Sequence, residues 1–285
     1  MKIKIIGSGG CVSIPRPLCQ CRICREARIK GVPYARCGCS LYLEDLNLLI
    51  DTPEDISAAL NNAEVKAIDT ILFSHADPDH TMGIRVIEQL KMDWLARSVG
   101  ITCSQPLTVG ALPEITKELR RQCSKYGSML EYYEDMGLAK AENMNHMDQN
   151  GIHITFVPVD ESGIVTIFVI EDQDRKVIYA PCDVKPFPDH PLFYEASVLI
   201  IGNTIVGDQL KDGFVLDETN DLRKELFVMD EIVELKKNYQ IGKVIITHLE
   251  EDWGKSYDDY LRLQRQYEGI EFAYDGMSIE FPASD

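Results

Sequence analysis

Four side chains able to hold a metal fall within six residues of this sequence: His75, Asp77, Asp79 and His80, in the run Ser74-His75-Ala76-Asp77-Pro78-Asp79-His80. Two imidazoles and two carboxylates this crowded would repel or compete for partners unless a cation held them, and His is the commonest protein metal ligand. The plainer use of an acid here, with Asp79 only capping a following helix, needs no metal.

The run directly follows the apolar residues Ile71-Leu72-Phe73, read as the strand Thr70 to Phe73, and strand alternation points His75 and Asp77 the same way. After it, Met82, Ile84, Val86, Ile87, Leu90, Trp94 and Leu95 recur at helical spacing, which predicts one helix from Thr81 to Ala96. The expectation is a metal site at a strand-to-helix turn.

Three more acidic or imidazole groups stand just past predicted strands: Asp160, Asp183 and His248. Sites in layered α/β folds gather at strand ends, where loops converge over rigid sheets. His190, in the loop Pro186-Phe187-Pro188-Asp189-His190-Pro191, is placed to protonate a leaving group. His146, in a polar segment, and His153, in a strand, are assigned surface or core roles.

Nine cysteines with no secretory segment argue against a disulfide framework, and Cys19-Gln20-Cys21-Arg22-Ile23-Cys24 has the spacing of a zinc knuckle. The isolated Cys103 and Cys123 read as small buried hydrophobes.

Stepping out along the chain, residues 2 to 6 form a predicted strand ending at Gly7-Ser8-Gly9-Gly10. Because prolines and the cysteine run follow instead of a helix, this is a turn beside the site and not a phosphate loop. Short strands at Ser40 to Glu44 and Asn47 to Asp51 precede a helix start at Thr52-Pro53, with Thr52 as cap. Residues 115 to 149 read as helices and a loop covering the site. Further strands are expected at His153 to Val157, Ile164 to Glu171, Val177 to Tyr179, Val198 to Ile201 and Val244 to Ile246. The second half echoes the first, as two sheets with outer helices require.

The 285 residues, 45% hydrophobic, suit one α/β domain spanning 1–285, with a Cys-rich insertion at about 11–39. A net charge of −17 disfavours nucleic acid and anionic lipid as partners. No apolar run approaches the roughly 20 residues a membrane helix needs. A cytoplasmic protein with a small-molecule substrate is expected.

These motifs together, from Ile6-Gly7-Ser8-Gly9-Gly10 through the cysteine run, Leu49-Ile50-Asp51-Thr52, the metal run, Tyr179 to Asp183 and Thr247-His248 to Tyr274-Asp275-Gly276-Met277, resemble the metallo-β-lactamase superfamily. Within it they resemble the branch containing the cyclic phosphodiesterase of the carbon–phosphorus lyase pathway and the pyrroloquinoline-quinone synthesis protein B. The resemblance implies a four-layer αββα sandwich and two divalent active-site metals. His75, Asp77 and Asp160 would hold one, Asp79, His80 and His248 the other, with Asp183 or the adjacent Cys182 bridging. It also implies metal-bound hydroxide as nucleophile, oriented by Asp79, acting on a small phosphodiester.

The signature His-x-His-x-Asp-His is altered, with Asp77 at the second His and Asp160 at a later one. These carboxylates favour Fe or Mn relative to Zn. A structural zinc at Cys19, Cys21 and Cys24 would take Glu251, Cys37 or Cys39 as fourth ligand. Other readings of the same residues are an iron-binding redox or cofactor-biosynthesis protein and a metal-poor binding protein. Homodimerisation is expected by analogy with the family alone.

Overall fold

Strands whose residues are buried on both faces read as unbroken apolar runs, and this chain has enough of them for two complete sheets. The computed structural model describes residues 1–279 and 281. In the first sheet the order is Met277–Ser278, Ile3–Gly7, Ser40–Leu43, Leu48–Ile50, Thr70–Leu72, Leu107–Ala111, Ala139–Asn143. In the second it is Ile270–Phe272, Lys243–Ile246, Val198–Ile201, Lys176–Ala180, Thr166–Glu171, Ile152–Pro158, His146–Gln149. Each sheet has four successive antiparallel strands followed by three added in parallel. That shared pattern is the echo between halves, completed in the first sheet by a strand from the far end of the chain.

Alternation divides the second sheet between two cores. Ile154, Phe156, Phe168, Ile170, Val177, Tyr179, Val198, Ile200 and Ile245 join the first sheet in one cluster. Val157, Ile167, Val169, Ile178, Leu199, Ile201, Val244 and Ile246 join a second cluster. There they meet Met229, Ile232 and Leu235 of the helix Met229–Asn238 and Tyr260 of the helix Tyr257–Gln264. On the outer side of the first sheet, the helices Ile56–Asn62 and Pro113–Leu119 bury Ile56, Ala59, Leu60, Ile115 and Leu119. The layers are helix, sheet, sheet, helix, the αββα sandwich of the metallo-β-lactamase type.

Four local expectations are corrected. The single helix from Thr81 to Ala96 is four short pieces: Pro78–Thr81, Met82–Arg85, Val86–Lys91 and Trp94–Ser98. Gly83 presses against the neighbouring chain, where a Cβ would come within 2.0 Å of the Pro53 carbonyl oxygen. Asp93 accepts the N–H groups of Leu95 and Ala96 at 3.0 and 2.9 Å and starts a new turn, leaving Trp94 and Leu95 exposed. Thr52 does not cap a helix, because its N–H donates to the His80 carbonyl at 2.7 Å and the helix begins at Ile56.

Residues 115 to 149 do not cover the site. They contain the helices Pro113–Leu119 and Met129–Asp135, the hairpin Cys123–Ser124 with Gly127–Ser128, and one edge strand for each sheet. Those edge strands are largely solvent-exposed, so they lack the apolar runs that mark the central ones. Cys123 is exposed and Cys103 half-buried, neither a core residue.

Candidate metal centre

At the ends of the parallel strands the chain turns off the sheet through residues in the left-handed region: Asp51 (φ 66°), Asp183 (φ 53°), Asn203 (φ 50°) and His248 (φ 53°). Asp, Asn and His are the non-glycine types best able to adopt it. Each such turn brings a polar side chain to one shared edge, and His75 to His80 arrive there from the strand Thr70–Leu72.

Asp51 organises the imidazoles from below. Fully buried, it accepts the Ser74 N–H at 2.8 Å, the Ser74 hydroxyl at 2.6 Å and a hydrogen bond to His80 Nδ1 at 2.9 Å. Ser74 Oγ lies 2.8 Å from His75 Nδ1. With both Nδ1 atoms engaged, the Nε2 atoms of His75 and His80 are buried and without a hydrogen-bond partner; His248 Nδ1 is likewise buried and unpartnered, while its Nε2 faces Asp79. A metal-ligating histidine is held at its other nitrogen in the same manner. The three rings lie in a row, 4.2 Å from His75 to His80 and 5.4 Å from His80 to His248 between centroids.

The carboxylates converge on the same edge. Asp77 occupies the helix N-cap position ahead of Pro78, but its side chain makes no capping hydrogen bond and lies 3.9 Å from His75 Nε2. Asp79 Oδ2 is 3.5 Å from His80 Nε2 and 3.3 Å from His248 Nε2. Ligand atoms lie within 4.8 Å of one another in three groups: His75, Asp77 and Asp183; His75, His80 and Cys182; Cys11, Asp79 and His248. Nitrogen, oxygen and sulfur donors with unsatisfied buried nitrogens fit divalent cations.

The electrostatics agree. Burial, then the neighbouring His80, pushes the His75 pKa well down, keeping its nitrogen free for coordination. Burial disfavours the His80 cation, yet Asp51 outweighs it and raises that pKa. Burial and the nearby Asp183 and Asp79 raise the Asp77 pKa. For Asp79, His248 and His80 overcome burial and hold the carboxyl well below its usual range.

Two expected site residues lie elsewhere. Asp160 is exposed, accepting the Ser162 N–H at 2.8 Å and the Ser162 hydroxyl, and joins none of the metal-competent groups among the described residues. An Asp with Ser two residues on closes a local turn and uses up its carboxylate. His190 accepts the Leu192 N–H at 3.3 Å, starts a short turn and leans on Phe193, away from the residues lining the cavity. His146 and His153 sit on the second sheet's outermost strands beside Asn145 and Asp148. Sequence reasoning missed Asp51 as a hub, Ser74 as an orienting group, and Cys11, Asn203 and Glu250. The signal for Asp51 was its place just past a strand.

The cysteine run forms its own cluster. Cys21 begins the helix Arg22–Lys30 as its N-cap, and the thiols of Cys19, Cys21 and Cys24 lie 3.3, 2.9 and 3.6 Å from Glu251 Oε1. Glu251 is fully buried, balanced by Lys211 Nζ at 2.6 Å and Arg16 Nε at 3.3 Å. Burial raises the pKa of the Cys21 thiol and takes that of Cys24 to about 12. Three sulfurs and a carboxylate are a tetrahedral donor set for zinc. The alternative fourth ligands, Cys37 and Cys39, do not join this cluster among the described residues, and the Cys39 thiol lies between Tyr179 and Thr247 at 3.4 and 3.6 Å.

A cavity of about 670 Å³ opens above the centre. Asp77, Asp79, Cys182, Asp183 and His248 line its floor, Arg16 and Lys211 one side, and Phe214, Leu216, Leu222 and Trp253 an apolar wall. Its cover comes from residues 203–226, not from residues 115–149. No helix among the described residues is long and apolar enough to cross a membrane.

A family model described as a beta-lactamase superfamily domain matches residues 46–249. No curated protein matches the sequence. Among solved structures, a diphosphatase from the PhnP family superposes with a TM-score of 0.68 at 16% identity, covering 98% of this chain and 97% of that one. Zinc-bound PqqB from Methylobacterium extorquens gives 0.72 at 18% identity, covering 98% and 100%. Human tRNase Z, short form, gives 0.61 at 14%, covering 99% and 100%. At these identities the likeness is one of fold.

Proposed function

Because the chain belongs to the beta-lactamase superfamily, we propose that it is a metal-dependent hydrolase that cleaves a small phosphodiester in the cavity above its metal centre. The observation that carries this reading is the set of three buried imidazoles with unpartnered nitrogens, met by the carboxylates of Asp77, Asp79 and Asp183, which together with His248 line that cavity. His75, Asp77 and Asp183 would hold one cation and Asp79, His80 and His248 another. Divalent cations bound there would lower the pKa of a water toward neutrality and draw charge from a phosphoryl oxygen.

The protein's own groups supply the rest. Asp79, kept ionised between His80 and His248, orients the attacking water and accepts its hydrogen bond. Arg16 and Lys211, the basic side chains among those lining the cavity, are paired with Glu251 and Asp252 but still place positive charge on that side of it, toward which a phosphoryl oxygen would be drawn. The wall of Phe214, Leu216, Leu222 and Trp253 would seat an organic group and exclude water from it. The cavity's size and the net charge of −17 favour a small substrate over RNA.

The test is turnover of bis(p-nitrophenyl) phosphate by protein purified anaerobically, with its metal content measured. Zinc or manganese with turnover that drops at least 100-fold in Asp79→Asn is expected. Iron with an oxygen-sensitive absorption and no turnover would overturn the hydrolase reading in favour of a redox one, and protein that binds no metal would overturn both.

A further inference from the structure

We infer that Cys11 is a ligand of the metal centre, joining Asp79 and His248 as the sulfur donor at that cation position. The inference rests on the metal-centre reading above but not on any substrate.

The glycine turn after the strand Ile3–Gly7 is stitched to both sides of the site. Gly9 N–H donates to the Cys37 carbonyl at 2.8 Å and Gly10 N–H to the Leu249 carbonyl at 3.2 Å, which fixes the loop beside His248. The Glu250 carboxylate lies against Gly10, where a Cβ would come within 1.9 Å of its Oε1 and displace it. That oxygen accepts the Cys11 N–H at 2.8 Å. The same oxygen lies 3.5 Å from His248 Nδ1, a buried nitrogen without a hydrogen-bond partner. Cys11 Sγ, an Asp79 oxygen and a His248 nitrogen lie within 4.8 Å of one another.

A thiol that merely lined the cavity would not need a carboxylate oxygen and an imidazole nitrogen gathered within 4.8 Å of it. A cation gathering sulfur, oxygen and nitrogen satisfies all three, and ligation releases the thiol proton to solvent. The donor mix also changes the metal expected. Thiolate with imidazole selects zinc or cobalt over manganese, the reverse of what Asp77 suggests from the sequence motif. Cys182, grouped with His75 and His80, adds a second sulfur to the centre.

The test titrates anaerobic full-length protein with Co(II) alone and follows the thiolate-to-cobalt charge-transfer absorption in the near ultraviolet. Cys11→Ser, unchanged in circular dichroism, should lose part of that absorption and bind its weakest cobalt roughly 10- to 100-fold less tightly. The part remaining is that of the cysteine knuckle and of Cys182. Cys11→Asp should recover affinity without recovering the absorption. Unchanged absorption and affinity in Cys11→Ser would overturn the assignment. The readout involves no turnover, so a Cys11-dependent absorption in protein that cleaves no phosphodiester would keep the ligand and dismiss the proposed activity.

Discussion

A single buried carboxylate does the most to shape the centre. Asp51 fixes His80 directly and His75 through Ser74, so removing its charge frees two imidazoles at once. Asp51→Asn should weaken metal binding about 10- to 100-fold, the usual cost of losing such a supporting partner, as read by competition with a chelator. In the same assay Asp160→Ala should match the parent protein, because that carboxylate is spent on Ser162. The contrast explains what was legible at this scale. His75, Asp77, Asp79, His80, Asp183 and His248 could be read because each closely follows an apolar strand. Asp160 carried the same signal, and a serine two residues later captured it.

Elements dock through a few charged contacts as well as through apolar faces. The cysteine-bearing helix Arg22–Lys30 meets the helix Tyr257–Gln264 where Arg22 pairs with Asp259 at 2.6 Å. Asp259 also accepts the Ser256 N–H at 2.9 Å, closing that helix's first turn. Burial alone would raise its pKa, but the Ser256 N–H with Arg22 and Arg262 brings it down to about 2. A carboxyl whose folded pKa is depressed contributes stability that is complete above its ordinary value near 4 and is lost as pH falls toward 2. Asp259→Asn should therefore cost about 1 kcal/mol at pH 7, and the gap to the parent protein should narrow in urea unfolding as pH approaches 2. Element boundaries were harder to read than element types. The apolar spacing from Met82 to Leu95 was real, yet the tight seat of Gly83 and the cap at Asp93 broke the helix, and neither leaves a periodic trace.

At the scale of the molecule, the repeated strand pattern was visible as an echo, but the partner of the first strand was not. Ile3–Gly7 pairs with Met277–Ser278, a contact across most of the chain that two-residue pairing cannot advertise. Just before that strand, Asp275 accepts the Ser8 N–H and hydroxyl at 2.9 and 2.7 Å and the Cys37 N–H at 2.7 Å, beside the buried Arg36. Asp275→Ala would strand all of these, at a cost of about 3 kcal/mol. The expected readout is a lower denaturant midpoint with an unchanged slope.

The bridge from Asp275 to Ser8 spans 267 positions. The glycine turn meets Cys37 nearby in the chain, but its other anchors, at Leu249, Glu250 and Asp275, must wait for segments far downstream. The centre beside it is therefore completed late, once the segments bearing His248 and Asp275 have been made, and any ion captured before then is held by the central segments alone.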